Sequence, residues 1–103
     1  MQTHLKKRID IVVEAPLLQR VTNQLDRENV SGYSVMPIIA GRGHEGPWTS
    51  EGQLGNASQM VAIVCVVDPA RVDDLLAATF DLISRQIGHV TVTDVHVVRP
   101  QRF

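Results

Sequence analysis

The chain has 103 residues, 44% of them hydrophobic and only 4% aromatic, and a formal net charge of −1. That length fits one domain, and the near-neutral charge excludes the basic excess of a general nucleic-acid binder. The single cysteine, Cys65, excludes an internal disulfide, and no apolar run approaches the ~18 residues of a membrane-spanning helix.

The N-terminal MQTHLKKRID carries charges but no apolar segment, so a cytoplasmic chain without a signal peptide is expected. Residues 5–14, LKKRIDIVVE, alternate at Ile9, Ile11 and Val13, the period of a half-buried strand. A helix follows, with Pro16 suited to its first turn and Leu18, Val21 and Leu25 on one stripe. Gly32 ends that connection. Residues 33–39, YSVMPII, form a second strand, and Pro37 places it at a sheet edge because it lacks a ladder donor.

Residues 40–58, AGRGHEGPWTSEGQLGNAS, hold five of the seven glycines and the only tryptophan, Trp48. A loop of about 19 residues inside a compact domain is more often functional than not. Residues 59–67, QMVAIVCVV, are apolar without alternation and suit a central strand. The second helix opens with Asp68 as cap and Pro69 at its first position; Val72, Leu76, Ile83 and Ile87 form its stripe, widened by Leu75 and Leu82. Gly88 serves as its stop. In the last strand Val90 and Val92 alternate, then the parity shifts to Val95 and Val97, which predicts a bulge or twist near Asp94.

The order is β-α-β, long loop, β-α-β: an α+β, ferredoxin-like βαββαβ arrangement with an antiparallel sheet. Right-handed crossovers put the first and third strands in the middle. Both helices cover one sheet face, and the other face, fed by strands as apolar as MVAIVCVV, requires other copies to cover it.

Three clusters could carry chemistry. Gly41-Arg42-Gly43 at the loop base suits a nest of backbone N–H groups for an anion, with the arginine adding charge. Arg99 and Arg102 follow the last strand as a second cationic pair. Gln86-Ile87-Gly88-His89 forms the turn after the second helix. The four histidines, His4, His44, His89 and His96, make no close pair, so no metal site is expected. Asp73 and Asp74 suit a helix N-terminus better than acid–base work, and no nucleophile elbow or Cys–His signature points to an enzyme.

SGYSV before the loop, GRG at its base, DP opening the second helix and GHVTVTDVHVVRPQR at the close together make the chain resemble the PII signal-transduction superfamily over nearly its whole length. The resemblance implies a single domain over 1–103, a homotrimer, adenine nucleotides bound in clefts between subunits, and a partner-recognising T-loop at 41–58. It departs from ordinary PII proteins in having no loop tyrosine and in reading QIGH where they carry T-G-x-x-G-D-G-K. It is closer to the PII-like branch linked to inorganic carbon, carboxysome-linked proteins and regulators of bicarbonate transporters, which favour AMP, ADP or a cyclic nucleotide and are tied to bicarbonate; the resemblance points to the carboxysome-associated members, with ADP or AMP as ligand. Carried over by position, the nucleotide site takes Ser34, Gly41, Arg42, Gly43, Gly88, His89, Arg99 and Arg102. The loop residues His44, Glu45 and Trp48 would meet a protein partner, such as a bicarbonate transporter or a carboxysome component. The other readings of the same fold are a CutA-type trimeric metal-ion tolerance protein and a small enzyme or amino-acid-sensing domain.

Overall fold

The structure, a computed structural model, describes residues 1–43, 46–49 and 59–103. Four strands, β1 (His4–Glu14), β2 (Ser34–Ile38), β5 (Met60–Val67) and β6 (Gly88–Val97), build an antiparallel sheet in the order β2-β5-β1-β6. Two short strands, β3 (Ala40–Gly43) and β4 (Gly46–Thr49), pair separately as a hairpin. Helices α1 (Leu18–Arg27) and α2 (Val72–Ile83) complete the βαβ halves. The first and third strands of the expected plan therefore lie in the centre, and Pro37 falls on the edge strand, opposite Val61.

Strand alternation sorts the sheet into two faces. Ile9, Ile11 and Val13 of β1 stand opposite Cys65, Ile63 and Val61 of β5, and with Leu17, Val21 and Leu25 from the first half and Leu75 and Ile83 of α2 they form the core. Ile11, Ile63, Val13, Val21, Leu25 and Leu75 are the largest fully buried side chains; each stabilises the fold by roughly 1.5–3 kcal/mol. The stripe on α2 runs through Leu75, Thr79 and Ile83, not through Ile87, which is exposed. Thr79 is tolerated inside because its Oγ1 donates to the Leu75 carbonyl at 2.7 Å.

Among the described residues the opposite face has no helix. Its β2–β5 half is apolar, through Met36, Ile38, Met60, Ala62, Val64 and Val66. Its β1–β6 half is mixed: Arg8 Nε donates to Asp10 Oδ1 at 2.8 Å, next to Thr91 and Thr93. The apolar residues expected on this face are present on one half only, because β1 places Arg8, Asp10 and Glu14 on the same side as Val12.

Four local expectations change. The turn after α1 is made at Asn29, whose φ of 58° is left-handed. Val30 N–H bonds to the Leu25 carbonyl and Asn29 N–H to that of Asp26, a Schellman closure. Asp68 makes no side-chain cap to its helix; it forms an ion pair with Lys6, which is only 9% exposed. A buried ammonium leaves the carboxylate no better partner. Helix α2 ends at Ile83, and Gly88 opens β6 instead of stopping the helix.

The bulge near Asp94 is not there: β6 pairs with β1 in unbroken register from Gly88 opposite Val13 to Val97 opposite His4. The parity shift instead marks a change of face. Val90 packs against the core, whereas Asp94 pairs with Lys7 on the same side, and Val95 and Val97 turn to the helix-free face.

Cys65 lies buried opposite Ile9, and burial pushes its thiol up to about 11, with the Asp10 carboxylate adding to the rise. The thiolate is the reactive species. A thiol reagent at pH 8 is therefore expected to label the native protein at least ~100-fold more slowly than the denatured chain. Equal rates would show that the β1–β5 face opens readily.

Candidate functional site

The residues singled out in the sequence fall into two groups. The first gathers at the end of the sheet where Val13 meets Gly88 and Glu14 meets Met60. Gly88 sits so close to β1 that a Cβ there would lie 2.5 Å from the Val12 carbonyl oxygen and 3.2 Å from Val13 Cγ1. This close approach fixes the backbone that presents His89, which is exposed opposite Val12. Strand β2 ends at the same level, with Ile38 opposite Met60, and leads into β3.

In the hairpin Gly41 stands opposite Trp48, exposed Arg42 opposite Pro47, and Gly43 opposite Gly46. A paired strand points successive N–H groups to opposite sides. The concave anion nest expected from Gly41-Arg42-Gly43 is thus not formed by this extended pairing. What the glycines offer here is a backbone free of side chains beside the Arg42 guanidinium. His44 and Glu45, and the remainder of the 41–58 loop at 50–58, lie outside the described residues.

The second group lies at the other end. Arg99 and Arg102 follow β6, and the 3-10 turn Pro100–Arg102 is closed by Arg102 N–H to the Arg99 carbonyl and Phe103 N–H to that of Pro100. Both arginines are exposed and line a concavity of about 490 Å³ with Val97, Val98 and Phe103. The turn reaches across the sheet end to the segment entering β2: Ser31 Oγ donates to the Arg102 carbonyl at 2.9 Å. Ser34 starts β2 three residues later, exposed on the sheet edge opposite Val64. Between them Tyr33 rests beside α1; burial there, with the Asp26 carboxylate, raises its phenol above the ordinary value.

The ten residues of β6, about 30 Å at strand rise, run from Gly88 toward Arg99, and Ser34, level with Val64, Asp10 and Thr91, lies between those ends. A nucleoside diphosphate is shorter than β6, so it does not span the full strand from Gly88 to Arg99 within one chain. Ser31, Val98 and Phe103 were not singled out from the sequence. Nothing in the linear order places Ser31 beside a residue 71 positions away. Among the described residues no group of three or more His, Cys, Asp or Glu could hold a metal ion, and no helix is long and apolar enough to cross a membrane.

An α+β domain with a short hairpin between its two βαβ halves has the plan of a PII-type protein. The chain belongs to the family of the nitrogen regulatory protein P-II, whose sequence model matches residues 6–102. Solved structures agree. The chain is similar to CPII, a nitrogen regulatory PII-like protein from Thiomonas intermedia K12, bound to ADP, AMP and bicarbonate, with 25% identity, 99% of this chain and 96% of that chain covered, and a TM-score of 0.89. A second structure of CPII, bound to ADP and bicarbonate, gives 29% identity, coverage of 99% and 97%, and a TM-score of 0.84. A protein of Thermus thermophilus described as PII-like shares the fold at 20% identity, covering 100% of this chain and 99% of that one, with a TM-score of 0.81. No curated protein sequence matches significantly.

Proposed function

We propose that this chain is a non-enzymatic PII-like signalling protein that binds ADP or AMP, together with bicarbonate, in clefts between the subunits of a homotrimer. Its T-loop, residues 41–58, then reports the ligand to a protein in inorganic carbon metabolism, a bicarbonate transporter or a carboxysome component. The observation that carries this reading is that β6, about 30 Å long at strand rise, holds Gly88 and His89 at its start and leads into Arg99 and Arg102 beyond its far end. One chain offers two half-sites; a cleft that joins the Gly88–His89 end of one copy to the arginine end of the next supplies one whole site. The half-apolar, helix-free sheet face offers a surface for such packing. The ligands bound to CPII support the choice of ADP, AMP and bicarbonate.

Subunit mixing tests it. His89→Glu spoils the first half-site by setting a carboxylate against phosphate, and Arg102→Ala spoils the second. Each variant alone is expected to lose ADP binding. Refolded together in equal amounts, they recover about a quarter of the wild-type sites, the share of interfaces that pair two intact halves by chance. No recovery would place both halves in one chain and end the intersubunit reading. In the same titrations bicarbonate is expected to raise ADP affinity by the factor with which ADP raises that of bicarbonate.

A further inference from the structure

The C-terminal turn is held to the rest of the chain by little. Its own hydrogen bonds are local, within residues 99–103, and Val98, Arg99, Gln101, Arg102 and Phe103 are all exposed. Among the described residues, the one side-chain hydrogen bond that ties this turn to another part of the fold is that from Ser31 Oγ to the Arg102 carbonyl.

The segment that carries Ser31 is firmly set. Upstream, Glu28 ends α1, and Arg71, from the turn before α2, donates to the Glu28 carbonyl and pairs with its carboxylate at 3.7 Å. The Schellman closure at Asn29 and Val30 then fixes the chain direction. Downstream, Ser34 enters the ladder with β5. Ser31 is therefore a post anchored on both sides, and the exposed turn hangs from it.

We infer that Ser31 is a positioning residue: its hydroxyl fastens the turn carrying Arg99 and Arg102 to the segment that delivers Ser34, so that both present to one ligand. The inference rests on the reading of these arginines as phosphate contacts. Without the bond, the turn gains conformational freedom that binding must remove again. The loss falls on phosphate contacts and spares the nucleoside, because Ser34 is held by the β2–β5 ladder whether or not the turn is fastened. Threonine offers the same hydroxyl donor, and at an exposed position its added methyl group meets no core.

The test compares wild type, Ser31→Ala, Ser31→Thr and Arg102→Ala, titrated with ADP and with adenosine, and follows amide exchange at Arg102 and Phe103. Ser31→Ala is expected to weaken ADP about fivefold, the scale of one ordinary hydrogen bond. Adenosine binding stays unchanged, exchange at both amides speeds up, and Ser31→Thr restores the wild-type values. If Arg102→Ala weakens ADP while Ser31→Ala changes neither ADP affinity nor exchange, the positioning role is overturned and the phosphate reading stands. If Arg102→Ala leaves ADP binding intact, the phosphate reading itself fails, and the role of Ser31 falls with it.

Discussion

Replacing Arg99 and Arg102 together with Ala is expected to weaken ADP by at least about a hundredfold, since each charge-assisted hydrogen bond to a phosphate contributes roughly 1.5–3 kcal/mol. Adenosine, which lacks the phosphates, should bind the double variant as it binds wild type. AMP should fall between the two. The protein itself should fold normally, because both side chains are exposed and neither forms an ion pair among the described residues. The measurement is a calorimetric titration of the three ligands at fixed salt, because exposed charges are screened within ~10 Å at 0.1 M. Equal losses for ADP and adenosine would mean that the tail shapes the cleft as a whole. No loss for either would remove the arginines from the site and leave the concavity beside Phe103 without a ligand.

The contrast between these arginines and the Gly88 end explains what the sequence could and could not convey. The alternation of Ile9, Ile11 and Val13 and the proline in SVMPI follow from local stereochemistry, so strand identity, sheet order and the edge position of β2 could be read directly. Local rules also misled where a tertiary partner competed. Asp68 is a good cap by type, but Lys6 is buried opposite it and takes the carboxylate. Gly88 follows a helical stripe and suggests a stop, but the requirement it answers is the approach of β6 to the Val12 carbonyl. Asn29 closes α1 although Gly32 is the residue freer to turn. In β6 the apolar residues change face without a break in pairing, and a parity shift alone cannot distinguish that from a bulge.

The candidate site was legible as a set of residues and not as an arrangement. Chain position says nothing about which sheet end a residue occupies. Gly88 and Arg99 are eleven positions apart in sequence, yet β6 holds them at opposite ends. Arg102 and Ser31 are 71 positions apart and in contact. The nest expected at Gly41-Arg42-Gly43 rests on glycine's freedom to turn. The same freedom lets the chain run extended, and pairing with residues 46–49 satisfies its backbone groups better than an empty nest would.

Gly88→Val should be the most damaging single substitution for the fold near the site. Even the first carbon of a side chain would lie 2.5 Å from the Val12 oxygen and 3.4 Å from the Val13 Cα, both backbone atoms of the central strand. β1 cannot yield freely, because it pairs with β5 on one side and β6 on the other and carries Ile11 and Val13 into the core. The branched chain must therefore push β6 away, at an overpacking cost of about 1–3 kcal/mol or more. For a domain of this size that lowers Tm by roughly 4–8 °C for each kcal/mol. Gly32→Ala is the matched control: among the described residues, none beyond its chain neighbours places an atom within 4 Å of a Cβ built there, and its Tm should stay within about 2 °C of wild type, since a surface change of this kind rarely exceeds ~0.5 kcal/mol. Melting must be compared at one protein concentration, because assembly stabilises the native state by mass action. Saturating ADP adds a second reading. Ligand that binds only the native state raises Tm by an amount set by [L]/Kd, so wild type and Gly32→Ala should both gain. Gly88→Val, with His89 carried away from the cleft, should gain little. A Gly88→Val protein that melts with wild type would refute the close approach of β6 to β1. One that melts early but gains fully from ADP would keep that approach and remove this end of the sheet from the nucleotide site.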